Sequence, residues 1–142
     1  MKYLKVLSIA TLVTLAAACS QNDKPKQMEK KPSTSLVKNA VYNCGGKTLT
    51  VNYTFEGKTP ISATAYLDNQ RIAREMPFDD SYKSLPTFKL DNHRLTLDDG
   101  FGPETATTTD VVTLTEATKA SDKILAKNCM INAEATAKAN NQ

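Results

Sequence analysis

The chain has 142 residues, of which 40% are hydrophobic, and its 18 basic and 15 acidic side chains give a formal net charge of +3. Residues 39–142 hold eleven basic and thirteen acidic residues, and this slightly acidic balance argues against a nucleic-acid partner. The sequence contains one histidine, no Cys-x-x-Cys pair and no glycine-rich phosphate loop. It therefore predicts neither an enzyme nor a protein that holds a metal or cofactor.

The N-terminus has the order of a secretory signal. Lys2 and Lys5 precede an uncharged stretch of 13 residues from Val6 to Ala18. This stretch is shorter than the roughly 20 residues that a transmembrane helix needs. We therefore predict a signal peptide over residues 1–18, which is removed from the mature protein.

The segment Leu15-Ala16-Ala17-Ala18-Cys19 resembles the lipobox of bacterial lipoproteins. The resemblance implies that Cys19 is acylated and becomes the first residue of a membrane-anchored protein, held by about 0.8 kcal/mol per buried methylene group. Ser20, in place of Asp, resembles the signal for the outer membrane, where the protein would face the periplasm or the cell surface. The alternative is ordinary cleavage with Cys19 as a free thiol, which is a liability in an oxidising compartment.

Composition divides the mature chain into three parts. Residues 19–38 are rich in Lys, Pro, Gln and Ser and predict a disordered tether. Residues 39–131 predict one folded domain, and the Ala-rich residues 132–142 predict a flexible or frayed helical tail. With one of three cysteines assigned to lipid, Cys44 and Cys129 remain near the two ends of the domain. Export favours a disulfide between them, the alternative being two free buried thiols.

Short segments with the character of β-strands follow one another along the domain. They are residues 42–44, 48–55, 62–67, 70–75, 87–90, 94–98, 111–115 and 123–129. Residues 48–55 show the clearest alternation of apolar and polar side chains, and this period of two is typical of a strand with one buried face. Gly45-Gly46, Asp68-Asn69 and Asp91-Asn92-His93 predict turns between neighbouring strands.

Eight short strands separated by turn residues predict an all-β fold, either a small antiparallel β-barrel or a sandwich. We favour the eight-stranded barrel, because pairing the first strand with the last removes two open sheet edges. A Cys44–Cys129 disulfide would join those same two strands.

The candidate acid–base residues have ordinary structural explanations. His93 lies in a polar turn and lacks the companions that a general base or metal ligand needs. Asp79-Asp80 and Asp98-Asp99 are adjacent acidic pairs, whose side chains would point to opposite faces of an extended strand. We interpret both pairs as turn formers.

Several segments together resemble a known family. They are Val41-Tyr42-Asn43-Cys44, Gly46-Lys47, Leu49-Thr50-Val51-Asn52-Tyr53, residues 62–71 and Lys127-Asn128-Cys129. The pattern resembles the lysozyme inhibitors of the MliC/PliC type and, more closely, their relatives of the neisserial adhesin complex protein type. The resemblance implies an eight-stranded barrel that blocks host C-type lysozyme by placing a loop in the sugar-binding cleft. The Ser-Gly-x-x-Tyr motif of the inhibitors corresponds at most to Ser84-Leu85-Pro86-Thr87-Phe88, and their Thr-Lys-Gly segment has no convincing counterpart.

The segment from Asp79 to Lys89 contains the predicted lysozyme-binding residues. Lysozyme cleaves its substrate with two carboxyl groups in a cleft, so hydrogen-bond donors and cations suit an inhibiting loop. The segment supplies these at Ser81, Lys83, Ser84 and Lys89, with Tyr82 as an aromatic contact. Alternatively, each of these is an ordinary exposed loop residue.

C-type lysozyme is therefore the predicted partner, and the mild acidity of the domain favours its encounter with a cationic enzyme. The alternatives are a surface adhesin or host-ligand-binding lipoprotein, and an envelope structural protein. The sequence leaves open whether the barrel forms a homodimer.

Overall fold

The structure is a computed structural model that describes residues 34–142. It contains eight β-strands and one α-helix: β1 (Ser35–Cys44), β2 (Lys47–Glu56), β3 (Thr59–Leu67), β4 (Gln70–Pro77), β5 (Thr87–Leu90), β6 (His93–Leu97), β7 (Val111–Ala117), β8 (Asp122–Ile131) and α1 (Ala133–Asn140). The predicted all-β class and the eight predicted strands are confirmed. The predicted signal peptide over 1–18, Cys19 and most of the tether lie outside the described residues.

Local sequence explains the two long hairpins at the start of the sheet. In β2, Leu49, Val51, Tyr53 and Phe55 are fully buried while the threonines and asparagine between them are partly exposed, as the period of two requires. Gly45 and Gly46 both have positive φ, 59° and 90°, which suits the twist of a two-residue hairpin turn. Asp68-Asn69 repeats this arrangement between β3 and β4 with φ of 48° and 66°.

The eight strands form one antiparallel sheet in the order β4-β3-β2-β1-β8-β7-β6-β5. The first strand pairs with the last, through Tyr42 opposite Ile131 and Asn43 opposite Met130. The sheet curls into a nearly closed barrel whose remaining seam lies between β4 and β5. A single bridge between Phe78 and Phe88 spans this seam.

Cys44 in β1 and Cys129 in β8 form a disulfide, as predicted. The cross-link lies one residue beyond the β1–β8 ladder and joins positions 85 residues apart in the chain. On the chain-entropy account, a loop of this length stabilises the fold by about 4 to 5 kcal/mol.

The interior of the barrel is filled with large side chains. Tyr53 and Phe55 from β2 pack with Phe88 from β5 and Phe101 from the β6–β7 loop, with ring centroids 4.8 to 5.7 Å apart. The hydroxyl of Tyr53 shares a 2.8 Å hydrogen bond with that of Tyr42. Burial raises the pKa of both tyrosines, so the pair stays neutral and satisfies its polar atoms internally.

The two ends of the domain differ from the prediction. β1 begins at Ser35 and pairs along its whole length with β2, from Ser35 opposite Glu56 to Cys44 opposite Lys47. The predicted tether, extended to residue 38, was therefore too long at its C-terminal end. Backbone pairing with β2 orders these residues, although Leu36 and Val37 stay exposed. Because no side chain of residues 35–37 is buried, the sequence carries no alternating pattern that would predict this part of the strand.

Residues 132–142, predicted as a flexible or frayed helical tail, are mostly helix α1. The Asn132 side chain caps it by accepting a hydrogen bond from the Ala135 N–H at 3.0 Å. The buried Thr136 Oγ1 accepts from the Val41 N–H at 2.9 Å. Asn140 bonds the backbone N–H and C=O of Asn39 at 3.0 and 2.7 Å. Helix side chains thus occupy the edge of β1 where β8 no longer pairs with it.

Candidate functional site

The candidate loop, residues 79–86, connects β4 to β5 and therefore crosses the seam of the barrel. Its two ends are anchored to the sheet. The Asp79 N–H donates to the Thr87 carbonyl at 2.8 Å, and the Leu97 N–H donates to the Pro86 carbonyl at 2.9 Å. Because both ends of the loop are held by backbone hydrogen bonds, their positions relative to the sheet are fixed.

The first half of the loop is organised by its own polar groups. The Asp79 carboxylate accepts the Ser81 N–H at 3.1 Å and the Ser81 hydroxyl at 2.5 Å. These bonds favour the charged form and are the main reason why the pKa of Asp79 lies below its usual value of 3.8. Lys83 Nζ donates to the Asp80 carbonyl at 2.9 Å, which bends the chain again before Ser84.

The structure exposes all of the predicted contact residues. They differ in whether their polar groups are already hydrogen-bonded within the protein. Ser81, Tyr82, Lys83 and Ser84 form one exposed run, and Lys89 is exposed on β5. The Ser81 hydroxyl already donates within the loop, so it is left mainly as an acceptor, contrary to its predicted role as a donor. Among residues 34–142, neither the Ser84 hydroxyl nor the Lys89 amine makes a hydrogen bond.

The degenerate motif Ser84-Leu85-Pro86-Thr87-Phe88 has only its first residue fully at the surface. Phe88 is completely buried and packs edge-on against Phe78 at 5.3 Å. Thr87 is also buried, and its hydroxyl donates to the Leu85 carbonyl at 3.1 Å. The C-terminal half of the motif therefore packs at the seam, and only Ser84 is fully exposed.

Arg94, on β6, completes this surface and was missed by the sequence analysis. Its guanidinium carbon lies 5.2 Å from the centre of the Tyr82 ring. In the β5–β6 hairpin, Arg94 is directly opposite Lys89. The predicted turn Asp91-Asn92-His93 was one residue too long, because His93 belongs to β6 and pairs with Leu90. A three-residue turn would have placed Leu90, and not Lys89, opposite Arg94.

The other candidate side chains have structural roles. Asp98 accepts the Asp99 N–H at 2.9 Å, and Asp99 accepts the Gly100 N–H at 2.8 Å, so this pair forms a turn as predicted. His93 is half-buried rather than solvated, and its Nε2 lies 3.9 Å from a carboxylate oxygen of Glu116. Within the described part of the chain, no group of three or more His, Cys, Asp and Glu residues is arranged to hold a metal.

Shallow grooves occur elsewhere on the surface. One of about 450 Å³ is lined by Cys44, Gly45, Lys47 and residues 124–128, where β1 and β8 diverge beyond the disulfide. None of the candidate loop residues lines this groove. Residues 34–142 include no helix with the length and hydropathy needed to cross a membrane.

Comparison with known proteins identifies the domain. The sequence profile of the ACP-like domain, Nm-ACP, matches residues 38–131, from within β1 to the last residue of β8. The chain belongs to the ACP-like domain family. This membership supports the resemblance to the adhesin complex protein, whereas the likeness to MliC/PliC inhibitors is not part of what the profile shows. Helix α1 lies beyond the matched residues of the ACP-like domain.

One relative is an uncharacterized protein of Haemophilus influenzae (strain ATCC 51907 / DSM 11121 / KW20 / Rd). It is 29% identical over 149 residues, and the alignment covers 99% of each chain. No solved structure matches the ACP-like domain chain. Of these comparisons, the family profile bears on function, and it favours a protein of the adhesin-like kind.

Proposed function

We propose that this protein is an exported, lipid-anchored inhibitor of C-type lysozyme, which inserts the candidate loop into the sugar-binding cleft. The anchor is Cys19, and the location is the outer membrane, facing the periplasm or the cell surface. The observation that carries the proposal is the exposed run Ser81–Ser84, which is held in place by the Asp79–Ser81 bonds and the anchored ends of the loop.

Preorganisation is the physical reason why this loop suits an inhibitor. A loop that is already ordered loses less conformational entropy on binding. Tyr82 is 36% exposed and is held beside Arg94, so it offers a semi-rigid aromatic contact of the kind enriched at interface centres. Lys83 and Ser84 provide a cation and a hydroxyl next to it, where they are suited to the carboxyl groups of a glycosidase cleft.

A lysis assay with purified Ser20–Gln142 tests the proposal. We expect inhibition of C-type lysozyme at micromolar protein or below. The double variant Lys83→Ala/Ser84→Ala should weaken inhibition while leaving thermal stability nearly unchanged, because both side chains are exposed. No inhibition by the unmodified protein at micromolar concentration would reject the function.

The matched control is Lys119→Ala/Ser121→Ala, which removes the same two side-chain types from the exposed β7–β8 turn. The hydrogen bonds of that turn use the Thr118 hydroxyl and the Ser121 backbone, so the substitution leaves them intact. The control should inhibit as well as the unmodified protein. Equal losses in both double variants would indicate a general surface effect.

Membership of the ACP-like domain family favours a second candidate, a surface adhesin or host-ligand-binding lipoprotein. Binding of the protein to host cells in the presence of saturating lysozyme separates the two functions. Binding that survives the lysozyme would favour adhesion through another surface, and binding that is lost would favour the lysozyme site.

A further inference from the structure

Two cations lie opposite each other beside the candidate loop. Lys89 on β5 and Arg94 on β6 are directly paired in the antiparallel register, and like charges in this relation destabilise a hairpin. Among residues 34–142, neither side chain forms an ion pair within 4.0 Å. The hairpin thus keeps an unfavourable pair that a bound anion would relieve.

The guanidinium of Arg94 is held in place. The side chain is half-buried, and the guanidinium carbon lies 5.2 Å from the centre of the Tyr82 ring, a distance at which the cation is attracted to the aromatic face. Its Nε atom is buried and has no hydrogen-bond partner among the described residues. Nε is therefore closed to a ligand at the surface. Within residues 34–142, the terminal Nη1 and Nη2 atoms make no hydrogen bond and are not among the buried atoms, so they are the donors open to a ligand.

Asp79 does not neutralise the two cations through an ion pair. Asp79 feels the positive charges of Lys89 and Arg94, which add a smaller lowering to its pKa. Its carboxylate is already bonded to Ser81 and forms no ion pair within 4.0 Å with either cation. The planar fork of Arg94, which matches a carboxylate in two parallel hydrogen bonds, therefore remains available.

We propose that Lys89 and Arg94, braced by Tyr82, form a carboxylate-binding site beside the loop. The ligand is a carboxylate on the surface of a protein partner. Arg94 binds it through its two terminal nitrogens, Nη1 and Nη2, and Lys89 attracts it as a point charge. The identity of the partner rests on the proposed function, under which the carboxylate belongs to the lysozyme surface that flanks the inserted loop. The site itself can be tested without lysozyme.

Nuclear magnetic resonance with glutarate as the probe provides that test on the unmodified Ser20–Gln142 protein. We expect a saturable shift of the Arg94 Nε–H and Tyr82 ring signals, and no such shift with the neutral analogue glutaramide. Arg94→Gln and Lys89→Gln should each reduce the response of the Tyr82 ring. The control Arg74→Gln removes an exposed arginine on β4 and should leave the response unchanged. An equal response to glutaramide, or an unchanged response in Arg94→Gln, overturns the site.

The lysozyme assay then separates the two proposals. If the unmodified protein inhibits, Arg94→Gln should lose about tenfold or more in affinity, Arg94→Lys should lose less, and Arg74→Gln should lose nothing. The loss should shrink at high salt, because charge-assisted contacts near the surface are screened. Inhibition that is equal in Arg94→Gln and the unmodified protein overturns the link to lysozyme and leaves the proposed function standing. If the unmodified protein does not inhibit, the proposed function fails and the glutarate response alone decides the site.

Discussion

The barrel is closed by a disulfide and paired strands on the β1–β8 side, and by far fewer bonds at the seam between β4 and β5. Where β1 meets β8, a disulfide, two paired positions and the side chains of α1 join segments from opposite ends of the domain. At the seam between β4 and β5, a single bridge and the ends of the candidate loop make the connection. Rigid closure between β1 and β8 allows the opposite seam to carry an exposed loop, because only the two ends of that loop take part in holding the seam.

The largest expected effect is on the disulfide side. We expect Cys44→Ala/Cys129→Ala to lower the free energy of unfolding by about 4 to 5 kcal/mol, because the denatured chain loses its cross-link. Urea denaturation followed by circular dichroism measures the change. The unmodified protein under reducing conditions is the control and should behave alike. A loss below about 1 kcal/mol would mean that the β1–β8 side is held by packing and hydrogen bonds alone.

A smaller effect is expected where α1 covers the edge of β1. Thr136→Val keeps the shape of a buried side chain but removes the hydroxyl that bonds the N–H of Val41. Leaving that buried donor unsatisfied costs about 1 to 3 kcal/mol. Hydrogen exchange should show faster exchange of the Val41 amide. Thr136→Ser is the control, since it keeps the hydroxyl, and full protection in Thr136→Val would show that the helix does not seal this edge.

The smallest effect is expected at the seam, in the pH dependence of the loop. The pKa of Asp79 is lowered mainly by the Ser81 bonds, so the turn is stabilised above the ordinary carboxyl pKa of 3.8 and loses this contribution as the pH falls through the lowered value. Ser81→Ala should raise the pKa of Asp79 toward 3.8, as measured by magnetic resonance titration. Global stability at pH 7 should change little, because both residues lie near the surface. A pKa of Asp79 that does not move would show that the Ser81 bonds do not organise the loop.

Much of the architecture could be predicted from local pattern. The alternation in residues 48–55 identified β2, and the Gly45-Gly46 and Asp68-Asn69 dipeptides placed their hairpins, because short-range backbone preferences decide those turns. The pairing of first and last strands and the Cys44–Cys129 bridge followed from the need to remove open edges in a small exported domain. The polar composition of residues 79–86 indicated the exposed loop that contains Ser84.

The parts that escaped prediction depend on contacts between distant residues. The start of β1 shows no alternation of buried and exposed side chains, since residues 35–37 are all exposed, and it is ordered by pairing with the end of β2. Helix α1 is short and weakly apolar, and Asn140 contacts Asn39 across 101 residues. Arg94 became part of the candidate surface only because the loop turns Tyr82 back over β6.

By itself, the sequence determined which segments become strands, where the tight turns fall and which cysteines are available to cross-link. Each of these depends on neighbouring residues, through side-chain alternation, positive-φ turn residues and the redox environment of an exported chain. The tertiary structure alone decided that the Ala-rich end seals an edge and that Lys89, Arg94 and Tyr82 meet at the seam. Those outcomes depend on groups from separate segments of the chain that come together only in the folded protein. The helix side chains bond the backbone of β1, and the Tyr82 ring packs beside Arg94, and no local pattern encodes either contact.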